Sequence, residues 1–393
     1  MIKNFSLAAR VEKLPDYPFA IIGQRLHELR MQGREIIQVD MGSPDLPPPS
    51  AVIETLATVA SQPNKHGYAG YRGTPAFRKS VSRYYDDRFG IQLDPEREVL
   101  PLIGSKEGIV NFMLATVGPG DVVLVPSLAY PAYAMGAQLA EAEVYIMPMR
   151  AETNFLPVFE DIPEEVRRRA KLLWLNYPNN PTGALASLAY YEQAVEFCRK
   201  YGIMLCSDNP YFELVYDGEP IAPSALLPDG AKDITIEFMS LSKSHNMAGW
   251  RLGAAVGNAE ALAALLKVKS NVDSGHFHAI YEAGITALDT TPHEWIAERN
   301  NRYAVRRDKI IAALPKIGLE IDAPPRGSLY VWARVQGGDD VAYTERCLME
   351  AGISMAAGSI YGEDGRGYVR MSLGIPDDTL DQALDKLIKL WNT

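Results

Sequence analysis

Residues 171–183 read KLLWLNYPNNPTG, and the change of character inside them decides the fold. The first half is a short, mostly apolar run of the kind that forms a strand buried on both faces. The second half, from Asn176 to Gly183, packs two prolines and three asparagines into a rigid turn at the strand tip. A purely structural turn rarely needs that combination. Similar apolar runs recur at 99–103, 122–125, 144–147, 172–175, 204–207, 235–239 and 254–256, each bounded by Gly, Pro, Asp or Asn. Helical patterns lie between several of them. Ile109, Val110, Met113, Leu114 and Val117 repeat on one helix face, and Tyr191, Ala194, Val195 and Cys198 repeat on another. Strands alternating with helices predict an α/β fold, a mostly parallel sheet sandwiched by helices.

Outward from this region the pattern changes twice. GSPDLPPPS at 42–50 is too rich in proline for a helix or strand interior and reads as an extended crossing loop. A helix is expected before it, over 20–30. The last hundred residues hold a long charged helix over 292–314, then LYVWARV, ISMAA and YVRMSLG, then a terminal helix through Leu390. They predict a smaller α+β domain. The expected division is 1–41 as an N-terminal segment packing with the small domain, 42–288 as the large domain and 289–393 as the small C-terminal domain. A chain of 393 residues suits two to three domains. We find no internal repeat and no low-complexity segment.

Hydrophobic residues at 47% and charged residues at 22% are the balance of a globular chain and exclude a disordered one. Lys+Arg 39 against Asp+Glu 49 leaves a net charge of −10, which excludes a general cationic surface for nucleic acid but not a local anion pocket. The three cysteines, Cys198, Cys206 and Cys347, show no CxxC spacing, so neither a disulfide framework nor a structural zinc site is expected. The N-terminal stretch has no apolar core of a signal peptide, and no run approaches a membrane span. A cytoplasmic location is the expectation.

Open parallel sheets bind ligands beyond the carboxyl ends of their strands. Gly104-Ser105-Lys106-Glu107-Gly108 follows one run and opens a helix. Ser105 can cap that helix, and the first-turn N–H groups suit a phosphate; the alternative is an ordinary capped helix start. Asp208 ends another run, with Tyr211 three residues later. A buried acid needs a partner, either a protonated ring nitrogen or, as a helix cap, the backbone. Ser240-Leu241-Ser242-Lys243 ends a third, followed by Arg251 in GWRLG. A lysine desolvated at a strand end has a lowered pKa and becomes a nucleophile for Schiff-base formation. Two hydroxyls and an arginine beside it suit a phosphate dianion. Arg370 lies inside the apolar run of YVRMSLG, where it needs an anion: a structural carboxylate or that of a substrate.

Taken together, PNNPTG, SDxxY, SxSK and WRLG, in this order and at these separations, resemble the fold-type I pyridoxal-phosphate enzymes of the class I/II aminotransferases. The resemblance runs from GSPD to YVRMSLG and implies pyridoxal 5′-phosphate as cofactor, held by the 42–288 domain. It implies that Lys243 is the Schiff-base lysine and proton shuttle, that Asp208 pairs with the pyridine nitrogen, and that Tyr211 and Asn180 bond the ring's phenolic oxygen. Tyr130, after VVLVP, would stack on the ring. Ser105, Lys106, Ser240, Ser242 and Arg251 would hold the phosphate, Lys106 mainly through its backbone N–H. Arg370, Asn180 and the backbone of Gly42 would hold the substrate carboxylate. Tyr68 in HGYAGYRG resembles a tyrosine that reaches a neighbouring subunit's phosphate, which implies a homodimer with shared active sites. The implied activity is ping-pong transfer of an amino group between an amino acid and a 2-oxo acid, with neither nucleic acid nor membrane as partner.

LSKSHNMAGWRLG and KSNVDSGHFHAIYEAG are similar to segments of LL-diaminopimelate aminotransferases and of related bacterial alanine or glutamate–pyruvate enzymes, so a role in lysine biosynthesis follows as an expectation. Aspartate-specific relatives carry an arginine shortly before the segment matching Ser270-Asn271, whereas ALLKVK here has none; Lys267 or Lys269 would offer only a looser charge. His276 and His278 read as packing or hydrogen-bonding residues, since no metal-ligand pattern joins them. The same lysine, acid and arginine would also serve a C–S β-lyase or a cyclopropane-forming synthase. A ligand sensor on this fold would need an added DNA-binding module, for which about forty residues before GSPD are too few.

Overall fold

The computed structural model describes residues 6–219 and 221–392; residues 1–5 of the stretch read for a signal peptide lie outside them. Thirteen strands occur among the described residues. β1 (Ile37–Gln38) comes first. Seven then follow: β2 (Val99–Leu102), β3 (Val122–Pro126), β4 (Glu143–Met147), β5 (Ala170–Leu175), β6 (Met204–Asp208), β7 (Thr235–Ser240) and β8 (Gly253–Gly257). The last five are β9 (Leu319–Glu320), β10 (Tyr330–Val335), β11 (Ile353–Ser354), β12 (Ala356–Ala357) and β13 (Tyr368–Ser372).

All seven apolar runs are strands, and they form one sheet in the order β2-β8-β7-β6-β5-β3-β4. The ladders β4–β3, β3–β5, β5–β6 and β6–β7 are parallel, while β8 runs antiparallel to both of its neighbours. Side chains alternate across this sheet. Trp174, Cys206 and Phe238 enter one apolar layer with Phe112 and Tyr133, and Leu173, Leu175 and Leu205 enter the opposite one with Tyr191 and Cys198. Trp174 is fully buried, so truncating it to alanine would cost about 3–5 kcal/mol.

The helix Ser105–Thr116 turns part of the expected face inward: Ile109 and Met113, with Val117 just after the helix, are buried as the spacing predicts. Gly108, Ile109, Phe112 and Met113 are buried, whereas Leu114 is exposed. Gly108 packs so closely that a Cβ there would lie 2.5 Å from Leu102, and Phe112 meets Phe238 edge-on, so these two residues join the buried face. On the helix Leu188–Tyr201, Tyr191, Ala194, Val195 and Cys198 are all buried, as the spacing predicts.

A second, antiparallel sheet has the order β12-β13-β10-β9. The long helix His293–Ala313 and the terminal helix Asp377–Trp391 cover it, with Tyr303, Ile310, Leu380 and Leu387 in the shared core. The chain's beginning returns to this region. β1 pairs in parallel with β11, and Leu26 and Leu29 of the helix Pro18–Met31 pack on Leu348. Among the described residues no helix is long and apolar enough to cross a membrane.

Candidate active site

The two sheets face each other across a cavity of about 250 Å³. The large sheet contributes its strand ends: Ser105 and Lys106 after β2, Tyr130 after β3, Asn176 and Asn180 after β5, Asp208 and Tyr211 at the end of β6, and Ser240, Ser242 and Lys243 at the end of β7. Arg251 precedes β8. The small sheet contributes Tyr330 and Arg370, the N-terminal segment contributes Phe19, and the proline-rich loop contributes Gly42. Every expected site residue except Tyr68 lines this one cavity. Tyr68 lies outside it and is 90% exposed.

The asparagine-rich turn is held by its own amides. Asn176 donates from Nδ2 to the Asp208 carbonyl at 2.6 Å and accepts the Asn180 N–H at 3.0 Å. Asn179 accepts from the Thr182 N–H and hydroxyl at 3.0 and 2.8 Å. The peptides before Pro178 and Pro181 are cis. The turn presents Asn180 Oδ1 to Arg370 Nη1 at 2.9 Å.

Asp208 caps no helix. Its Oδ2 accepts the Tyr133 hydroxyl at 2.6 Å, and its buried Oδ1 has no hydrogen-bond partner among the described residues. Burial pushes the carboxyl up to about 7; the Tyr133 bond opposes the rise and the charge of Glu237 adds to it. Such a group is stabilised by a cationic N–H placed at Oδ1. Tyr211 shares a 3.0 Å hydrogen bond with Tyr330, and burial holds its phenol well above the usual range.

Lys243 donates to the Gly42 carbonyl. Burial, reinforced by the cations Arg370 and Arg251, lowers its amine to about 7. The amine is thus substantially neutral near neutral pH, the state a nucleophile needs.

An anion cradle lies nearby. Gly104, at φ 74°, precedes the helix Ser105–Thr116, and a Cβ on it would lie 2.3 Å from Arg251 Nη2. Only a glycine lets the guanidinium rest against this helix start. Arg251 donates to the Ala248 carbonyl at 3.0 Å and lies 3.5 Å from the Ser242 hydroxyl, while Ser240 Oγ accepts the Ser242 N–H. Ser105 does not cap the helix, contrary to expectation: it is the first helical residue, and the Glu107 side chain reaches back to the Ile103 N–H at 2.9 Å. The Ser105 hydroxyl is therefore not spent on a cap. The Lys106 ammonium turns out of the cradle, 3.9 Å from the Tyr17 ring and 5.7 Å from that of Tyr130.

Arg370 is 2% exposed, and its contacts are with neutral groups: Asn180 Oδ1, the Asp40 carbonyl and the Tyr330 ring at 4.0 Å. Its Nε has no partner among the described residues. A buried guanidinium without a carboxylate is costly, so this one suits an incoming anion.

Sequence reasoning did not assign Tyr17, Phe19, Tyr133 or Tyr330. Tyr133 follows Tyr130 at helical spacing, and that was a readable signal. Tyr17 and Phe19 come from a segment whose return to the site is purely tertiary. Lys269 corrects an expectation: it is buried and paired with Glu107 and Asp273 at 2.9 and 2.7 Å, so it is not available to a distal carboxylate. His276 bonds the Arg251 carbonyl at 2.6 Å, the hydrogen-bonding role expected of it, and no group of residues that could hold a metal occurs among the described ones.

The donor set fits pyridoxal phosphate: an amine of lowered pKa, an unpartnered buried carboxylate oxygen, and a cationic cradle at a helix start. Comparison with known proteins points the same way. The family model described as aminotransferase class I and II matches residues 34–387. An LL-diaminopimelate aminotransferase of Dehalococcoides mccartyi is 46% identical over 383 residues, covering 97% of this chain and 98% of that one. Among solved structures, substrate-bound BacF from Bacillus subtilis superposes with a TM-score of 0.93 at 33% identity, covering 98% of each chain. A probable N-succinyldiaminopimelate aminotransferase from Thermus thermophilus gives 0.88 at 38% identity, covering 95% of this chain and 99% of that one.

Proposed function

Because this chain belongs to the class I and II aminotransferases, and is a pyridoxal-phosphate-dependent enzyme acting on amino and oxo acids, we propose that its amino donor is LL-diaminopimelate. The observation that carries this choice is the 46% identity, over nearly the full length of both chains, to a relative named for that substrate. The absence of an arginine in ALLKVK and the pairing of Lys269 argue against a strict dicarboxylate enzyme.

When bound, pyridoxal phosphate supplies an aldehyde that condenses with amines and a ring that draws electrons from the substrate Cα. Lys243 Nζ is the amine that holds the cofactor and, once released, the base that takes the Cα proton. Asp208, through its unpartnered Oδ1, would keep a proton on the ring nitrogen. Tyr211 and Asn180 would bond the ring's phenolic oxygen, and Tyr130 would cover the ring face. Arg251, Ser240, Ser242, Ser105 and the Lys106 N–H would hold the phosphate. Arg370, with Asn180 and the Gly42 backbone, orients the α-carboxylate so that the Cα–H faces Lys243. Because Lys243 is lowered to about 7, a large share of its amine is already neutral at neutral pH and free to take the proton from carbon. Two such half-reactions give ping-pong kinetics.

The reading also includes a homodimer, with the exposed Tyr68 reaching the partner's phosphate site, a cytoplasmic location, and the division into 1–41, 42–288 and 289–393. A donor panel tests the substrate: LL-diaminopimelate, alanine, glutamate, aspartate and aromatic amino acids, each with 2-oxoglutarate or pyruvate. LL-diaminopimelate is expected to give the highest kcat/KM. Turnover of alanine or aspartate with none of LL-diaminopimelate would refute the assignment.

A further inference from the structure

One buried cation takes no part in the site just described. Arg299, on the helix His293–Ala313, is 2% exposed and forms no ion pair among the described residues. Its guanidinium is spent on neutral oxygens. Nη1 donates to the Ser244 carbonyl and lies 3.5 Å from that of Lys243; Nη2 donates to the Glu213 carbonyl at 2.8 Å. Asn300 Oδ1 accepts from Nε and Nη2 at 3.2 and 2.9 Å, and the Trp295 ring lies 5.2 Å away. The nearby Glu213 carboxylate is taken up by Tyr84 and by Arg88 at 2.8 Å.

Burying a guanidinium against carbonyls alone is costly, so something must be gained locally. Lys243 sits in the helix Leu241–Ser244, four residues long. So short a helix cannot satisfy its own last carbonyls, which also carry the negative end of the local dipole. Arg299 satisfies them from outside. About two turns further along the same helix, Arg306 donates to Asp45 at 2.7 Å, to Asp377 at 2.8 Å and to the Leu373 carbonyl at 2.9 Å. Asp45 belongs to the loop that starts at Gly42, and Leu373 directly follows the strand that carries Arg370.

We propose that Arg299 is a positioning residue for Lys243: it pins the main chain of the lysine's turn and ties it to the helix that grips the base of the Arg370 strand. One helix thereby sets the spacing between the amine and the carboxylate clamp. The inference rests on Lys243 being the residue that takes the cofactor.

The test uses the full-length enzyme and compares Arg299→Lys with Tyr84→Phe, which removes only the hydroxyl's bond to Glu213 in the same buried cluster and keeps the ring's edge-on contact with His245 after the lysine's turn. Four quantities are read: kcat, donor KM, the rate at which apoenzyme captures pyridoxal phosphate, and Tm. Arg299→Lys should still bind cofactor at full stoichiometry, with donor KM within about threefold. Its kcat and capture rate should both fall about tenfold or more, as small misplacements of a reacting group do. Tyr84→Phe should lower Tm and leave both rates unchanged. Wild-type kcat and capture rate in folded Arg299→Lys would overturn the proposal. If Arg299→Lys does not fold, Trp295→Leu, which only loosens the guanidinium, should lower both rates, and unaltered rates there would overturn it. Borohydride reduction of the wild type separates the two readings. A cofactor label away from Lys243 overturns both, whereas a label on Lys243 with unaltered variant rates overturns this one alone.

Discussion

Tyr133 donates its hydroxyl to Oδ2 of Asp208 at 2.6 Å, and the other carboxylate oxygen, Oδ1, is buried without a partner among the described residues. Tyr133 is itself fixed, stacked on Trp174 with ring centroids 5.0 Å apart and planes within 9°. Sheet alternation puts Trp174 on the face that Cys206 and Asp208 share, and the helix Ala132–Leu139 lays Tyr133 over it. The relationship makes Asp208 a one-sided acceptor. Tyr133→Phe keeps the stack and removes the bond. A hydrogen bond to a charged group contributes about 1.5–3 kcal/mol, so pyridoxal phosphate affinity should fall roughly tenfold to a hundredfold. Cofactor titration of the apoenzyme measures this, and unchanged affinity would count against the pairing of Asp208 with the ring nitrogen.

Gly104→Ala should weaken cofactor binding while leaving the fold intact. The new Cβ would lie 2.3 Å from Arg251 Nη2 at a residue with φ 74°, so the arginine must shift. Inorganic phosphate, which competes only for the cradle, should lose affinity in proportion to pyridoxal phosphate. If both bind as in the wild type, the cradle is elsewhere.

The lowered amine of Lys243 has a kinetic signature. The neutral form is the nucleophile, and it predominates above about 7 rather than above the ordinary 10.5. Capture of pyridoxal phosphate by the apoenzyme should therefore accelerate as pH rises through about 7 and level off beyond. Stopped-flow absorbance follows it. A rate still climbing near 10.5 would mean that Lys243 is an ordinary solvated lysine.

Arg370→Leu removes a guanidinium whose partners are all neutral, so the variant loses anion binding and leaves no carboxylate stranded. Donor KM should rise by a hundredfold or more, since charge-assisted bidentate contacts contribute several kcal/mol when buried. Cofactor affinity should change much less. Equal losses of both would instead mark Arg370 as structural.

Much of this site was legible because of how parallel sheets are built. Strands buried on both faces appear as short apolar runs, and whatever polar residue ends such a run stands at the ligand edge, so Asp208, Lys243 and the Asn176–Thr182 turn could be read one strand at a time. What escaped depends on tertiary packing. Phe19 reaches the cavity, and Tyr17 reaches Tyr130 and Lys106 at its wall, only because the chain's beginning returns beside the small sheet. The inward face of the helix Ser105–Thr116 is set by Gly108 lying on Leu102, which apolar periodicity cannot register. Ser105 looked like a cap because its residue type favours one, but the cap position falls on Gly104, and no side chain caps the first-turn N–H groups. Lys269 reads as a free charge in sequence and is an ion-paired buried residue in the fold.

Borohydride reduction of the cofactor-loaded protein, followed by peptide mass mapping, addresses the central claim most directly. The account predicts a single pyridoxyl-phosphate adduct on Lys243, abolished in Lys243→Ala together with nearly all amino transfer. An adduct on another lysine, or wild-type turnover in Lys243→Ala, would contradict it.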